Sequence, residues 1–156
     1  MIERTTTHET IVLERDYDAP VERVFRAFAD PRARARWDVP SDGWEIAELI
    51  HEFRVGGRDA MRFGPKGDPR YYGAGFYLAI EPNVRIVKAG TMHDRDKPMT
   101  CTLSTVEFQQ KSRGTHLVLT DQSAYFGTET NKQRRGGWGS ILDKLALHFQ
   151  EEDQTP

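Results

Sequence analysis

A single cysteine, Cys101, occurs among the 156 residues. One thiol cannot close an internal disulfide, so no covalent staple supports this fold, and a reducing, cytoplasmic setting is expected. No apolar run approaches the eighteen or so residues that span a bilayer, and Met1 to Thr6 lack the apolar core of a signal segment. A membrane role is therefore not expected. Charge of one sign is also missing: the net charge is -2, with Arg, Lys, Asp and Glu evenly mixed. That balance argues against nucleic acid as the main partner. Arg23, Arg26, Arg32, Arg34 and Arg36 form the only dense basic stretch, and Asp38, Asp42 and Glu45 follow it closely; a solvated helical face is the expectation there.

The usual catalytic and cofactor signatures are absent as well. His8, His51, His93, His116 and His148 are scattered, with no pair at i, i+4 and no cysteine partner, so no metal site is expected. Ser104, Ser123 and Ser140 lack a G-x-S-x-G context, and Cys101 has no neighbouring base, which predicts an inert, buried thiol. Gly56-Gly57 and Gly136-Gly137 lack the flanks of a phosphate loop. No cofactor is expected.

What the chain does contain is pattern. Trp138, Ile141, Leu142, Leu145 and Phe149 recur at helical spacing within Asn131 to Gln150, so a long helix has an apolar stripe to bury. Thr10 to Tyr17 alternates as a strand. Asp18-Ala19-Pro20 then opens a helix marked by Val21, Val24, Phe25 and Phe28, and Asp30-Pro31 opens a second, Arg32 to Trp37. From Trp44 onward, strands alternate with turns: Trp44 to Phe53, a Gly56-Gly57 turn, Arg58 to Phe63, Tyr71 to Ile80, Val84 to Met92, Thr100 to Phe108 and Thr115 to Tyr125. Consecutive hairpins predict an antiparallel meander. The fold class is α+β: a curved antiparallel sheet wrapped around its last helix. One domain over residues 8–152 is expected, with flexible ends at 1–7 and 153–156.

Several stretches carry a family resemblance: Ala19-Pro20-Val21-x-x-Val24-Phe25 with Asp30-Pro31 and Trp37; Glu52-Phe53-Arg54-Val55-Gly56-Gly57-Arg58; Gly75-x-Tyr77-x-x-Ile80-x-Pro82-Asn83-x-Arg85-Ile86-Val87; Thr105-Val106-Glu107-Phe108 with Gly114-Thr115-x-Leu117; and Gly136-Gly137-Trp138-x-x-Ile141-Leu142-x-x-Leu145. Together they resemble the START-like (SRPBCC) superfamily and, within it, the family named for the C-terminal domain of the activator of heat-shock protein 90 ATPase. The resemblance implies a helix-grip fold with a cavity between sheet and helix. It does not imply one activity, because fold and function separate in this superfamily.

The cavity candidates follow from residue type and parity. Trp37, Trp44, Phe63, Tyr72, Phe76, Tyr125 and Trp138 can line an apolar pocket, plain core packing being the other reading of each ring. Asp121 follows Leu117 and Leu119 at alternate spacing and is expected to point inward, a strand-end carboxylate turned to water being the alternative. His93, placed on the Val87, Ala89, Thr91 parity, and Arg62 are weaker candidates of the same kind. The leading expectation is a protein that binds a small apolar or aromatic ligand without a cofactor. The alternatives are a cyclase- or hydrolase-type enzyme using Asp121 or His93, and a protein that docks on a chaperone or other partner through the outer face of its sheet. A homodimer is compatible with all three.

Overall fold

The computed structural model describes residues 3–154. Seven antiparallel strands form one sheet: β1 (Thr7–Tyr17), β2 (Trp44–His51), β3 (Arg58–Pro65), β4 (Tyr71–Glu81), β5 (Arg85–Asp94), β6 (Lys97–Lys111) and β7 (Gly114–Tyr125). Their spatial order is β1-β7-β6-β5-β4-β3-β2, the predicted meander, with β1 returned to pair with β7. Helices α1 (Val21–Ala29) and α2 (Pro31–Trp37) carry the chain from one edge of the sheet to the other, and α3 (Asn131–Gln154) follows the last strand. This is the helix-grip arrangement that the resemblance implies.

Local signals set the helix starts. Pro20 caps α1 in extended backbone, and the Asp30 side chain accepts a hydrogen bond from the Arg32 amide at 2.9 Å, with Pro31 in the first helical position. Part of each end expected to be flexible belongs to a regular element. β1 already includes Thr7, and α3 continues to Gln154 with Asp153 paired to Arg23 at 2.7 Å. Residues 1–2 and 155–156 lie outside the described residues. No described helix is long and apolar enough to cross a membrane. Cys101 is exposed, against the expectation of a buried thiol, because it alternates with the inward Thr100 and Thr102 on β6.

The inner face of the sheet is divided along its length. One half packs against α1, α2 and the C-terminal half of α3, where Val24, Trp37, Phe108, Leu117, Leu142, Leu145 and Phe149 form a continuous core. Phe25 and Phe28 meet Phe108 edge-on, both at 5.4 Å, and Tyr17 meets Phe149 at 5.5 Å. The other half lies under the N-terminal turns of α3, where Gly136 and Gly137 supply no side chains to fill it.

Those turns are held by polar contacts instead. Arg134 Nε and Trp138 Nε1 donate to the same oxygen, Asp121 Oδ2, at 2.8 and 2.9 Å, and the Ser123 hydroxyl donates to Oδ1 at 2.6 Å. The remaining guanidinium nitrogens reach Glu129 (2.9 Å), Thr102 (2.7 Å) and Thr100 (3.3 Å). Asp121 is fully buried and Arg134 nearly so. Burial works against the Arg134 charge, but Asp121 and Glu129 outweigh it and raise its pKa further. A pair sealed this way is costly to break on one side, because the other charge stays buried without a partner.

Arg134→Met is expected to cost about 3–5 kcal/mol in urea unfolding, and a second substitution, Asp121→Asn, recovers part of that loss by removing the stranded charge; an unchanged midpoint in the single variant contradicts the anchor. His148 is buried, and burial lowers its pKa below the usual 6.5, with Glu152 opposing. The unfolded chain therefore binds a proton first, and stability declines as pH falls from about 6.5. His116, held between Asp16 and Glu14, shifts the opposite way. His148→Gln is expected to flatten the decline in midpoint between about pH 7 and about pH 5, which isolates the buried ring.

Candidate functional site

The unfilled half of the inner face is a cleft of about 610 Å³ between sheet and α3. Its size lies within the range of small-molecule sites. Strand register explains the space. On β4 and β5 the inward positions include Gly73, Gly75 and Gly90, with Gly75 directly opposite Gly90 and Gly73 opposite Met92. A Cβ on Gly75 would lie 2.0 Å from the Ala89 carbonyl oxygen, and one on Gly90 would lie 2.6 Å from that of Ala74, so the strands approach too closely there for any other residue. The floor is bare backbone.

One end of the cleft is aromatic. Trp44 and Tyr71 stack at 5.4 Å with 12° between their planes, and Phe63 lies 6.1 and 5.7 Å from the two rings. Met61, Met92, Met99 and Ile141 add apolar surface, and Trp138 forms the wall under α3. Asp94 also lines the cleft and is held by Arg70 through two hydrogen bonds of 2.7 and 2.9 Å.

The other end is polar and centred on Arg34. Its guanidinium donates to Asp38 at 2.9 Å and to both oxygens of Asp59, the second at 3.3 Å. Lys88 Nζ donates to Asp59 Oδ2 at 2.7 Å. His51 Nε2 faces only an acceptor, the Ala29 carbonyl at 2.8 Å, so it carries the ring proton; Nδ1 then accepts from Arg34 or the Tyr77 hydroxyl, both at 3.0 Å. Burial pushes the Asp59 carboxyl up, yet Lys88 and Arg34 together hold it well below the usual carboxylate range. Burial likewise pushes the Tyr77 hydroxyl up, out of reach of base chemistry near neutrality. The basic stretch expected to be a solvated face thus contains the most buried arginine of the chain, 4% exposed. Arg34 turns inward while Arg32 and Arg36 stay in water.

The structure separates the sequence candidates. Trp44, Phe63 and Trp138 line the cleft. Asp121 points inward as its parity predicts, but Arg134, Trp138 and Ser123 saturate its oxygens, and it is sealed beneath α3. Tyr125 is buried beside it, its hydroxyl 3.4 Å from Asn131. Trp37 belongs to the core, its indole donating to the Ala27 carbonyl at 3.0 Å. Four residues must be moved to the outer face. Arg62, Tyr72 and His93 are direct cross-strand partners on adjoining strands, with the Arg62 guanidinium 5.0 Å from the Tyr72 ring, and Phe76 is 53% exposed.

The cause is strand parity. On β4 the inward ring is Tyr77, and the irregularity between Tyr77 and Ala79 shifts the alternation, so that Ile80 packs against the core while Phe76 faces out. On β5 the inward residues are Ile86, Lys88, Gly90 and Met92, one residue out of step with the set that carried His93. Lys88 and Asp59 escape sequence reading for the same reason, and Arg34 because it is the inward arginine of a basic helical stretch. The i, i+4 spacing of Arg34 and Asp38 is the one local signal that could have found any of them.

The family model described as activator of Hsp90 ATPase homolog 1-like protein matches residues 18–150. A solved protein from Rhizobium loti is 37% identical, with a TM-score of 0.84 over 93% of this chain and 99% of its own. One from Rhizobium leguminosarum is 31% identical, with a TM-score of 0.87 over 96% and 99%. A third, from Chromobacterium violaceum, is 32% identical, with a TM-score of 0.77 over 88% and 94%. No curated protein matches the chain. A match over most of its length, in the same order of elements, means that this chain belongs to the activator of Hsp90 ATPase homolog 1-like family.

Proposed function

We propose that the chain binds a small apolar or aromatic molecule in the cleft between sheet and α3, without altering it. The observation that carries this reading is the combination of a bare glycine floor, an aromatic end and a compact polar end in one space of about 610 Å³. Apolar walls supply most of the affinity of such a site, and a few fixed polar groups orient the ligand. The residues named for acid-base work do not favour an enzyme: Asp121 is sealed by three donors and His93 lies on the outer face. The exposed, unpaired thiol of Cys101 supports a cytoplasmic setting.

Gly73 offers a direct test. A Cβ there meets nothing closer than the Thr91 carbonyl oxygen at 3.8 Å, so a side chain fits the strand and projects into the cleft. Gly73→Leu is expected to keep the melting temperature of the free protein within a few degrees. It is also expected to abolish the thermal stabilisation that naphthalene-sized aromatic compounds give the unaltered protein. Stabilisation that survives in Gly73→Leu places the ligand elsewhere and contradicts the reading.

A further inference from the structure

Lys88 occupies the inner face of β5 between Ile86 and Gly90, where an apolar side chain would serve the core better. Its side chain keeps 31% of its surface accessible, and it borders both the cleft and the small void of about 30 Å³ behind it. Asp59 is held from two sides, by Lys88 at one oxygen and by Arg34 at both. Two cations, Arg34 and Lys88, meet two carboxylates, Asp38 and Asp59, so these four charges balance. One of the three ammonium donors goes to Asp59. The others are available to the cleft. Ser104 lies directly opposite Lys88 in register and lines the same wall, and its hydroxyl has no hydrogen-bond partner among the described residues.

We propose that Lys88 and Ser104 form the polar anchor of the cleft and select planar aromatic ligands bearing a neutral oxygen acceptor, such as an aryl ketone, over those bearing a carboxylate. This inference rests on the binding reading above and names its ligand class. Planarity follows from the floor and the rim: Gly73, Gly75 and Gly90 present backbone without side chains, and the parallel rings of Trp44 and Tyr71 offer flat faces at the open end. The acceptor follows from the donors that the cleft wall presents, an ammonium with N–H groups to spare and a hydroxyl on the adjoining strand, of which the ammonium gives a carbonyl a charge-assisted hydrogen bond. Neutrality follows from the balance of charge. A ligand carboxylate adds a third negative charge beside Asp59 and Asp38, and it loses its hydration without gaining an unpaired cation. A carbonyl incurs neither cost.

Three probes of nearly one shape separate these effects: ethylnaphthalene, acetylnaphthalene and naphthoate, substituted at the same ring position and titrated calorimetrically into the whole chain. The unaltered protein is expected to bind the ketone about tenfold more tightly than the ethyl compound, the scale of one hydrogen bond to a charged group, and more tightly than naphthoate. Lys88→Met is expected to lose the preference for the ketone over the ethyl compound. Ser104→Ala removes only a hydroxyl and reduces the preference in part, which keeps the test available should Lys88→Met fail to fold. Naphthoate bound tightest, or a ketone preference unchanged in both variants, overturns the assignment of Lys88 and Ser104. Three probes bound alike overturn it too while leaving the cleft as a binding site, whereas failure of all three to bind contradicts the cleft reading itself.

Discussion

A single oxygen of Asp121 fixes where the last helix begins, and the cleft exists because of it. Arg134 and Trp138, four residues apart and so on one face of α3, both donate to Oδ2. The C-terminal half of the helix needs no such device, since Leu142, Leu145 and Phe149 hold it to the sheet by burial. The first turns have glycines at 136 and 137 facing an unfilled surface, and their apolar residues, Trp138 and Ile141, are only partly buried and border the cleft. A buried ion pair contributes little net stability compared with a well-packed apolar contact. Here it does something that apolar packing cannot: it ties the helix at one point and leaves the space beside that point open.

A second buried cluster sets the opposite wall. Arg34 reaches from α2 to Asp59 on β3, and His51 ties β2 to the end of α1 through the Ala29 carbonyl. The two short helices are thereby attached to the sheet by charge and hydrogen bonds at the border between core and cleft. Neutral in sum and low in solvent access, this wall resists added charge yet still presents donors. It is also where the apolar core stops, because a charged cluster cannot be enclosed without partners and these partners come from four different elements.

Most of the fold could be read from the sequence, since it rests on local signals. The Pro20 and Asp30-Pro31 helix starts and the stripe from Trp138 to Phe149 each sit within a few residues of chain. Asp121 was legible because β7 alternates cleanly, with Leu117, Leu119, Asp121, Ser123 and Tyr125 all buried. The site was less legible because its residues depend on cross-strand register. Arg62, Tyr72, Phe76 and His93 are of the residue types that line pockets, but they sit on β3, β4 and β5, where apolar residues occur on both faces and an irregularity shifts the alternation. Lys88 and Asp59 meet only once the register is known. The emptiness of the floor is legible only in pairs, as Gly75 against Gly90, and never from either glycine alone.

The most direct measurement is an amide and indole NMR titration of the isotope-labelled chain with acetylnaphthalene. The account predicts shifts clustered at Gly73, Lys88, Gly90 and the Trp138 indole, all bordering the cleft, with Tyr72, Phe76 and Cys101 on the outer face unmoved. Shifts gathered on those outer residues, or a spectrum unchanged up to the solubility of the probe, would contradict the claim that this fold opens its inner face to hold a ligand.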